Sequence, residues 1–261
     1  TKIVTAGLTI TPLPVTLTAD TNDNFPYTLL PSGDAKVWSI DTAHWQAGGL
    51  AVDTLYAGDT INYTLANNTE SQVGDGHPVT FASYAIADAD NAKNYHITAV
   101  DGHIRVVRGT AEAILTGEGL TFTYDATAHT LPQPTVTVAT EGGDPVDRTD
   151  AFTYTYTVTK DGHSTTYDTL PTFTEAGEYT VKIKALSDIY ADPKAVTVTV
   201  TVLPRPLTLT SGSATVPYDA NEHSVKVLDS TTGLATGTHA VDEASLAMLA
   251  GQVNAATLAG T

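Results

Sequence analysis

The chain has no cysteine, a single methionine and two tryptophans among its 261 residues. Without cysteine, no disulfide staples a domain, so each domain depends on its own hydrophobic core; the absence does not by itself name a compartment. Basic residues are also scarce, 12 against 29 acidic, for a formal charge of −17. That balance excludes electrostatic attachment to nucleic acid or to an anionic membrane, and favours solubility. No run approaches the roughly 18 apolar residues needed to span a bilayer, so no membrane insertion is expected within this chain. Thr1-Lys2-Ile3-Val4 lacks the layout of a signal peptide. There is no G-x-S-x-G, no H-E-x-x-H and no glycine-rich phosphate loop, and a cysteine nucleophile is impossible.

What is present is repetition. Tyr124-Asp125-Ala126-Thr127-Ala128-His129 returns as Tyr218-Asp219-Ala220-Asn221-Glu222-His223, 94 positions on (218 − 124). Pro12-Leu13-Pro14-Val15-Thr16-Leu17-Thr18 returns as Pro204-Arg205-Pro206-Leu207-Thr208-Leu209-Thr210 after 192 positions (204 − 12), about twice that period. A period near one hundred residues fits one domain per repeat, not a solenoid turn of roughly 20–50 residues. The period places a closing strand of a preceding repeat at 1–12, repeat one at 13–108, repeat two at 109–204 and a partial third repeat at 205–261. On this reading the chain is cut from something longer.

Strict alternation dominates within the repeats. Phe152, Tyr154, Tyr156 and Val158 alternate with threonines, as do Val196, Val198, Val200 and Val202. A period of two sends one set of side chains inward and the other to water. Gly142-Gly143-Asp144-Pro145, Asp161-Gly162 and Glu175-Ala176-Gly177 read as turns. Short β-branched strands separated by turns predict an all-β chain of antiparallel immunoglobulin-like sandwiches. Pro-x-Pro junctions fix two φ angles and hold the residue between them extended, which predicts stiffly spaced domains and an elongated rod. Against the β pattern, Asp242 to Ala250 has helical spacing at Leu246, Leu249 and Ala250, and a short helix is one of two expectations there.

Two longer patterns carry a resemblance. Phe122 to Thr130 is similar to a "TYDG-x-x-HT" opening, and Pro171-Thr172-Phe173-Thr174-Glu175-Ala176-Gly177-Glu178-Tyr179-Thr180-Val181 to "PTFTDAGTYTV". Ala57-Gly58-Asp59, Asn68 to Gly74 and Asn94 to Gly102 resemble "GD … GSQTDVG … NYxITxxxG". Together they cover most of the chain and resemble the tandem immunoglobulin-like (MBG-type) repeats of large bacterial cell-surface and adhesin-like proteins. The resemblance implies a sandwich fold, extracellular exposure and a stalk or adhesion role, and supplies no ligand. Ala126 and Ala220 stand where glycine is usual, which argues against a positive-φ turn at those places.

Several constellations have two readings each. Asp20-Thr21-Asn22-Asp23-Asn24 reads like the calcium linker of cadherins and, with Asp88 and Asp90, offers hard oxygen ligands; the other reading is a polar turn. Tyr124 with His129 and Tyr218 with His223 suggest acid–base chemistry, but an active site seldom recurs in every repeat, so a core tyrosine beside a turn histidine is preferred. His44, His77, His96, His103, His163 and His239 lack metal-ligand spacing. Plentiful carboxylates leave a glycoside-hydrolysing pair open, though solvated surface acid is the simpler reading. Trp38 and Trp45, with Tyr56 and Tyr63, are either sugar-stacking groups or core. Lys36, Lys93, Lys182 and Lys184 have the chemistry for a lysine–asparagine crosslink. No catalytic, cofactor or metal residue is assigned. The expected function is a non-enzymatic stalk at the bacterial surface. The rivals are an adhesive module for a host glycan or protein, and a filament subunit that pairs with neighbouring copies of itself by strand addition.

Overall fold

The computed structural model describes residues 7–48, 55–213, 215, 217–218, 221, 228, 230–235 and 240–241. The helical pattern at 242–250 and the residues Asp219, Ala220, His223 and His239 lie outside them. Secondary structure among the described residues is β-strand with three short 3-10 turns. The all-β expectation holds. Spatial proximity gathers the chain into two compact units. One comprises Thr1–Ile114, Val136–Thr153 and Leu186–Lys194; the other Leu115–Thr135, Tyr154–Ala185 and Ala195–Thr261.

In the first unit β1 (Leu13–Ala19) lies between β4 (Ala43–Ala47), antiparallel, and β8 (Tyr95–Val100), parallel. A second sheet runs β2-β9-β7-β5, from β2 (Thr21–Pro26), β9 (Gly102–Val107), β7 (His77–Ile86) and β5 (Ile61–Ala66). The short β3 (Trp38–Ser39) and β6 (Thr69–Glu70) pair beside it. Val15, Leu55 and Ile86 form one core cluster, with Trp45 packed on it; Ala19, Ile40, Val79 and Ile104 form the other, with Phe25 and Phe81. Burial of Val15, Leu17 and Ala19 in β1 follows the alternation of the sequence.

Alternation alone does not reveal the parallel pairs. β1 and β2 are consecutive, as are β8 and β9, and both runs pass from one sheet to the other at the same height: Thr18 stands opposite Val100 before the switch and Thr21 opposite His103 after it. Gly102 sits at this crossing. A Cβ on it would lie 2.5 Å from the Ala19 carbonyl oxygen and collide with that of Asp20, so no side chain fits.

The remaining strands are β10 (Ala113–Thr116), β11 (Leu120–Thr123), β12 (His129–Thr130), β13 (Thr135–Val138), β14 (Val146–Asp147), β15 (Thr153–Lys160), β16 (His163–Tyr167), β17 (Thr172–Phe173), β18 (Gly177–Leu186), β19 (Val196–Leu203), β20 (Thr208–Thr210) and β21 (Ser230–Thr232). β10, β13 and β14 form one sheet; the larger runs β11-β19-β18-β15-β16. Val181, Ile183, Val198, Val200 and Val202 face its core, and the intervening Thr180, Lys182, Thr197 and Thr199 are exposed. A close approach of backbone to glycine recurs here. β11 runs parallel to β19, and a Cβ at Gly119 would strike the Thr199 carbonyl oxygen.

The predicted closing strand at the start is only partly described: residues 7–12 carry no strand, with Leu8 and Ile10 exposed. Pro204 and Pro206 lie between β19 and β20 as the sequence suggests, whereas Pro14 is inside β1.

Candidate functional site: the joint between the sequence repeats

The sequence period places a repeat boundary at Arg108-Gly109, where it yields no proline like Pro12 or Pro204, and the residues around it lie inside the first compact unit. The joint is built from side chains instead. Gly109 N–H donates to the Ile189 carbonyl at 2.8 Å, and a Cβ on Gly109 would lie 2.5 Å from the Tyr27 carbonyl oxygen. The backbone of the first repeat therefore passes directly over this glycine.

Arg148 is the hub. Its Nη2 donates to the Gly33 carbonyl at 2.6 Å, Nε to the Tyr190 hydroxyl oxygen at 3.1 Å, and Nη1 to the Asp147 carbonyl at 2.9 Å. Gly33, at φ +87°, turns the chain tightly enough to offer that carbonyl. Tyr190 is buried, stacked on Phe152 at 5.8 Å and edge-on to Tyr27 at 5.5 Å. Burial pushes the Tyr27 hydroxyl above its ordinary 10.0, Tyr190 adds to the shift, and the Arg148 charge opposes it. On the flank, Glu141 N–H donates to the Leu29 carbonyl at 2.7 Å, and the Glu141 carboxylate meets Lys36 Nζ at 2.9 Å. Arg108 pairs with Asp192.

The Arg108–Asp192 pair forms part of the wall of an open cleft of about 490 Å³, with Thr153, Leu186, Ser187 and Asp188. The Ser187 hydroxyl accepts the N–H groups of Ile189 and Tyr190, and no histidine lines the cleft. The chemistry on offer is adhesion between segments: charge-assisted donors, stacked rings and close backbone contact. Sequence reasoning missed Arg148, Tyr27 and Tyr190, because a lone arginine and two tyrosines in unrelated segments carry no motif.

The sequence-derived candidates are placed as follows. From Thr21 onward the segment Asp20 to Asn24 forms part of β2, and the polar-turn reading survives locally: the register shifts between Asn22 and Phe25, where the Asn22 side chain accepts the Asn24 N–H at 2.9 Å. Asp20 accepts from Thr42 Oγ1 at 2.5 Å and faces His44 at 3.1 Å, while Asp23 faces His103 at 3.3 Å. Asp88 belongs to the opposite end of β1. Asn91 bridges it to Asp59, which accepts from the hydroxyl of Tyr95, the residue opposite Leu13. The length of β1 separates the two groups by roughly 20 Å. Among the described residues no three His, Asp or Glu side chains converge on a common point.

His129 Nε2 faces both Asp125 at 3.0 Å and Thr127 Oγ1 at 3.1 Å. A relay needs base and orienting acid on different ring nitrogens, so this is a turn and not a triad. His77 faces Glu70 and the Asn67 carbonyl, and His163 the Asp161 carbonyl. His96 is an exposed residue of β8, and Tyr218 is almost fully exposed. Trp38 stacks on Phe25 at 4.8 Å, donates to the Pro26 carbonyl at 3.1 Å and lies under Lys36. Trp45 packs against the core, Tyr63 accepts the Ala43 N–H, and Tyr56 is exposed. Lys93, Lys182 and Lys184 are exposed and Lys36 holds Glu141, so none sits in the buried setting amide formation requires. No described carboxyl group is buried.

The resemblance motifs prove to be fold determinants. Asp59 and Tyr95, 36 residues apart, hydrogen-bond at 2.7 Å. The Tyr179 hydroxyl reaches back to the Glu175 carbonyl at 2.8 Å, the tyrosine corner of immunoglobulin-like sandwiches. Ala126 overturns an expectation: its φ is +64°, so the positive-φ turn persists without glycine. Asp125 holds that turn, accepting the Thr127 N–H at 2.9 Å and its hydroxyl at 2.7 Å. With His129 also bound, these donors hold the Asp125 carboxyl down to about 2.

No family model matches this chain, and no curated protein matches it. Among solved structures it is similar to the fibronectin(III)-like modules of Clostridium thermocellum CbhA, at 9% identity over 72% of this chain and 94% of that one, with a TM-score of 0.23. A similarity of that size carries no argument. Among the described residues no helix is long and apolar enough to cross a membrane.

Proposed function

We propose that the chain is a non-enzymatic stalk or spacer of a bacterial surface protein, in which successive sandwiches are held at fixed spacing to display a distal module as part of an elongated rod. The observation that supports this most is that segments on both sides of the boundary expected from the sequence period pack into one compact unit, in which Arg148 donates to Gly33 and Tyr190. A spacer has to resist bending at its joints, and buried ring stacking with charge-assisted hydrogen bonds resists it better than a glycine-rich tether. The acidic surface suits a display role because it discourages sticking. Small-angle scattering of the intact chain and of Arg148→Ala tests the reading. A narrow distribution of distances that broadens in the variant is expected; an equally broad distribution in both would overturn it.

A further inference from the structure

β16, His163 to Tyr167, is the outer strand of the five-stranded sheet, and all five of its residues are exposed. Among the described residues it pairs with β15 alone, Tyr167 opposite Tyr156 and His163 opposite Lys160, and it buries no side chain of its own. One edge of its backbone hydrogen-bonding groups is left for another strand. Natural edges are blocked by charge, proline, bulges or brevity. β2 has an irregularity and ends in proline, β5 has a register shift, and β11 is four residues long. β16 has none of these devices: it is regular, uncharged and free of proline, as are the outer strands β4 and β8, and it differs from those two in exposing every residue.

We infer that β16 is an interaction edge whose occupant is the same strand of a second copy of this chain, joined antiparallel about a two-fold axis at Thr165. That register pairs all five residues. Thr165 faces its own counterpart, Ser164 faces Thr166 and His163 faces Tyr167. Hydroxyl pairs of this kind already tie β16 to β15, Thr157 to Thr166 at 3.1 Å and Thr159 to Ser164 at 2.8 Å, and the second copy continues the ladder. Charge favours the same occupant. Each copy carries −17, so an uncharged strip is where two copies approach with least repulsion. The acids that remain are Asp161 and Asp168 at the strand ends, and the register sets Asp168 opposite Gly162 of the second copy, beside its Asp161. Added salt therefore strengthens the contact, the reverse of an ion-paired interface. The inference concerns lateral pairing and stands whether or not the spacer reading does.

Sedimentation of the full chain over a concentration series, at low and high salt, tests it. A monomer–dimer equilibrium that shifts towards dimer with salt is expected. Thr165→Lys sets like charges directly opposite and should leave a monomer with an unchanged thermal midpoint. Because the chain has no cysteine, Thr165→Cys is its single thiol, and antiparallel partners fall within the roughly 4.4–6.8 Å Cα separation a disulfide accepts. Under mild oxidation it should dimerise roughly tenfold or more faster than Val37→Cys, an exposed control position, through the raised effective concentration. A monomer at every concentration, a dimer indifferent to Thr165→Lys, or equal oxidation rates for the two thiols would each overturn it.

Discussion

Gly102 lies directly beneath the backbone of Asp20, where two parallel strand runs change sheets together, and no Cβ fits between them. The atoms in the way are main-chain carbonyl oxygens, which have no rotamer to escape into. Gly102→Ala should therefore destabilise the protein by about 1–3 kcal/mol, in the range of an overpacked core. Urea unfolding followed by tryptophan fluorescence reports it directly, since both tryptophans belong to that sandwich.

At Ala126 the opposite substitution should help. An alanine in the left-handed region costs roughly 1–2 kcal/mol, and a glycine there gives back about 0.5–1 kcal/mol through its freer unfolded chain. Ala126→Gly is expected to stabilise by about 0.5 kcal/mol. A lower denaturation midpoint in the variant would contradict the geometry at φ +64°.

The joint offers a comparison of magnitudes. Arg148→Ala removes donors to two partly buried acceptors and should cost about 1.5–3 kcal/mol. Lys36→Ala removes a pair whose Glu141 side chain is half exposed, so about 0–1 kcal/mol is expected. Unfolding of the two variants side by side checks the order; a larger loss at Lys36 would show that the flank, not the hub, holds the joint.

Acid stability should depend on the Asp125 turn. Its carboxyl falls from the ordinary 3.8 to about 2, chiefly through the Thr127 hydroxyl, then the Thr127 N–H and His129. A group with a depressed folded value contributes stability above its unfolded value and loses it as pH falls through the folded one. The contribution is thus complete above about pH 4 and fades towards pH 2. Asp125→Asn should flatten that part of the thermal midpoint against pH curve, and an unaltered curve would remove the turn from the acid response.

Calcium is expected to leave the thermal midpoint unchanged. Asp20 and Asp23 face different partners, and Asp88 belongs to the other end of β1, so six to eight oxygens do not gather. A rise in midpoint with calcium that disappears in Asp20→Ala, Asp23→Ala would contradict this.

The sequence by itself determined the elements and their faces. Alternation at 152–159 and 196–202 marks β15 and β19, because side chains of a strand point to opposite sides with a period fixed by the backbone. It also marked residues whose contacts shape the fold, since Asp59, Tyr95, Glu175, Tyr179 and Gly102 all lie in the segments that carry the family resemblance. Only the tertiary structure decided what those residues touch. Pairing direction is a property of two strands, so the parallel alignment of β1 with β8 leaves no local pattern. The joint follows the same logic. Gly33 and Arg148 are 115 residues apart, and their hydrogen bond exists because folding brings both segments to one place.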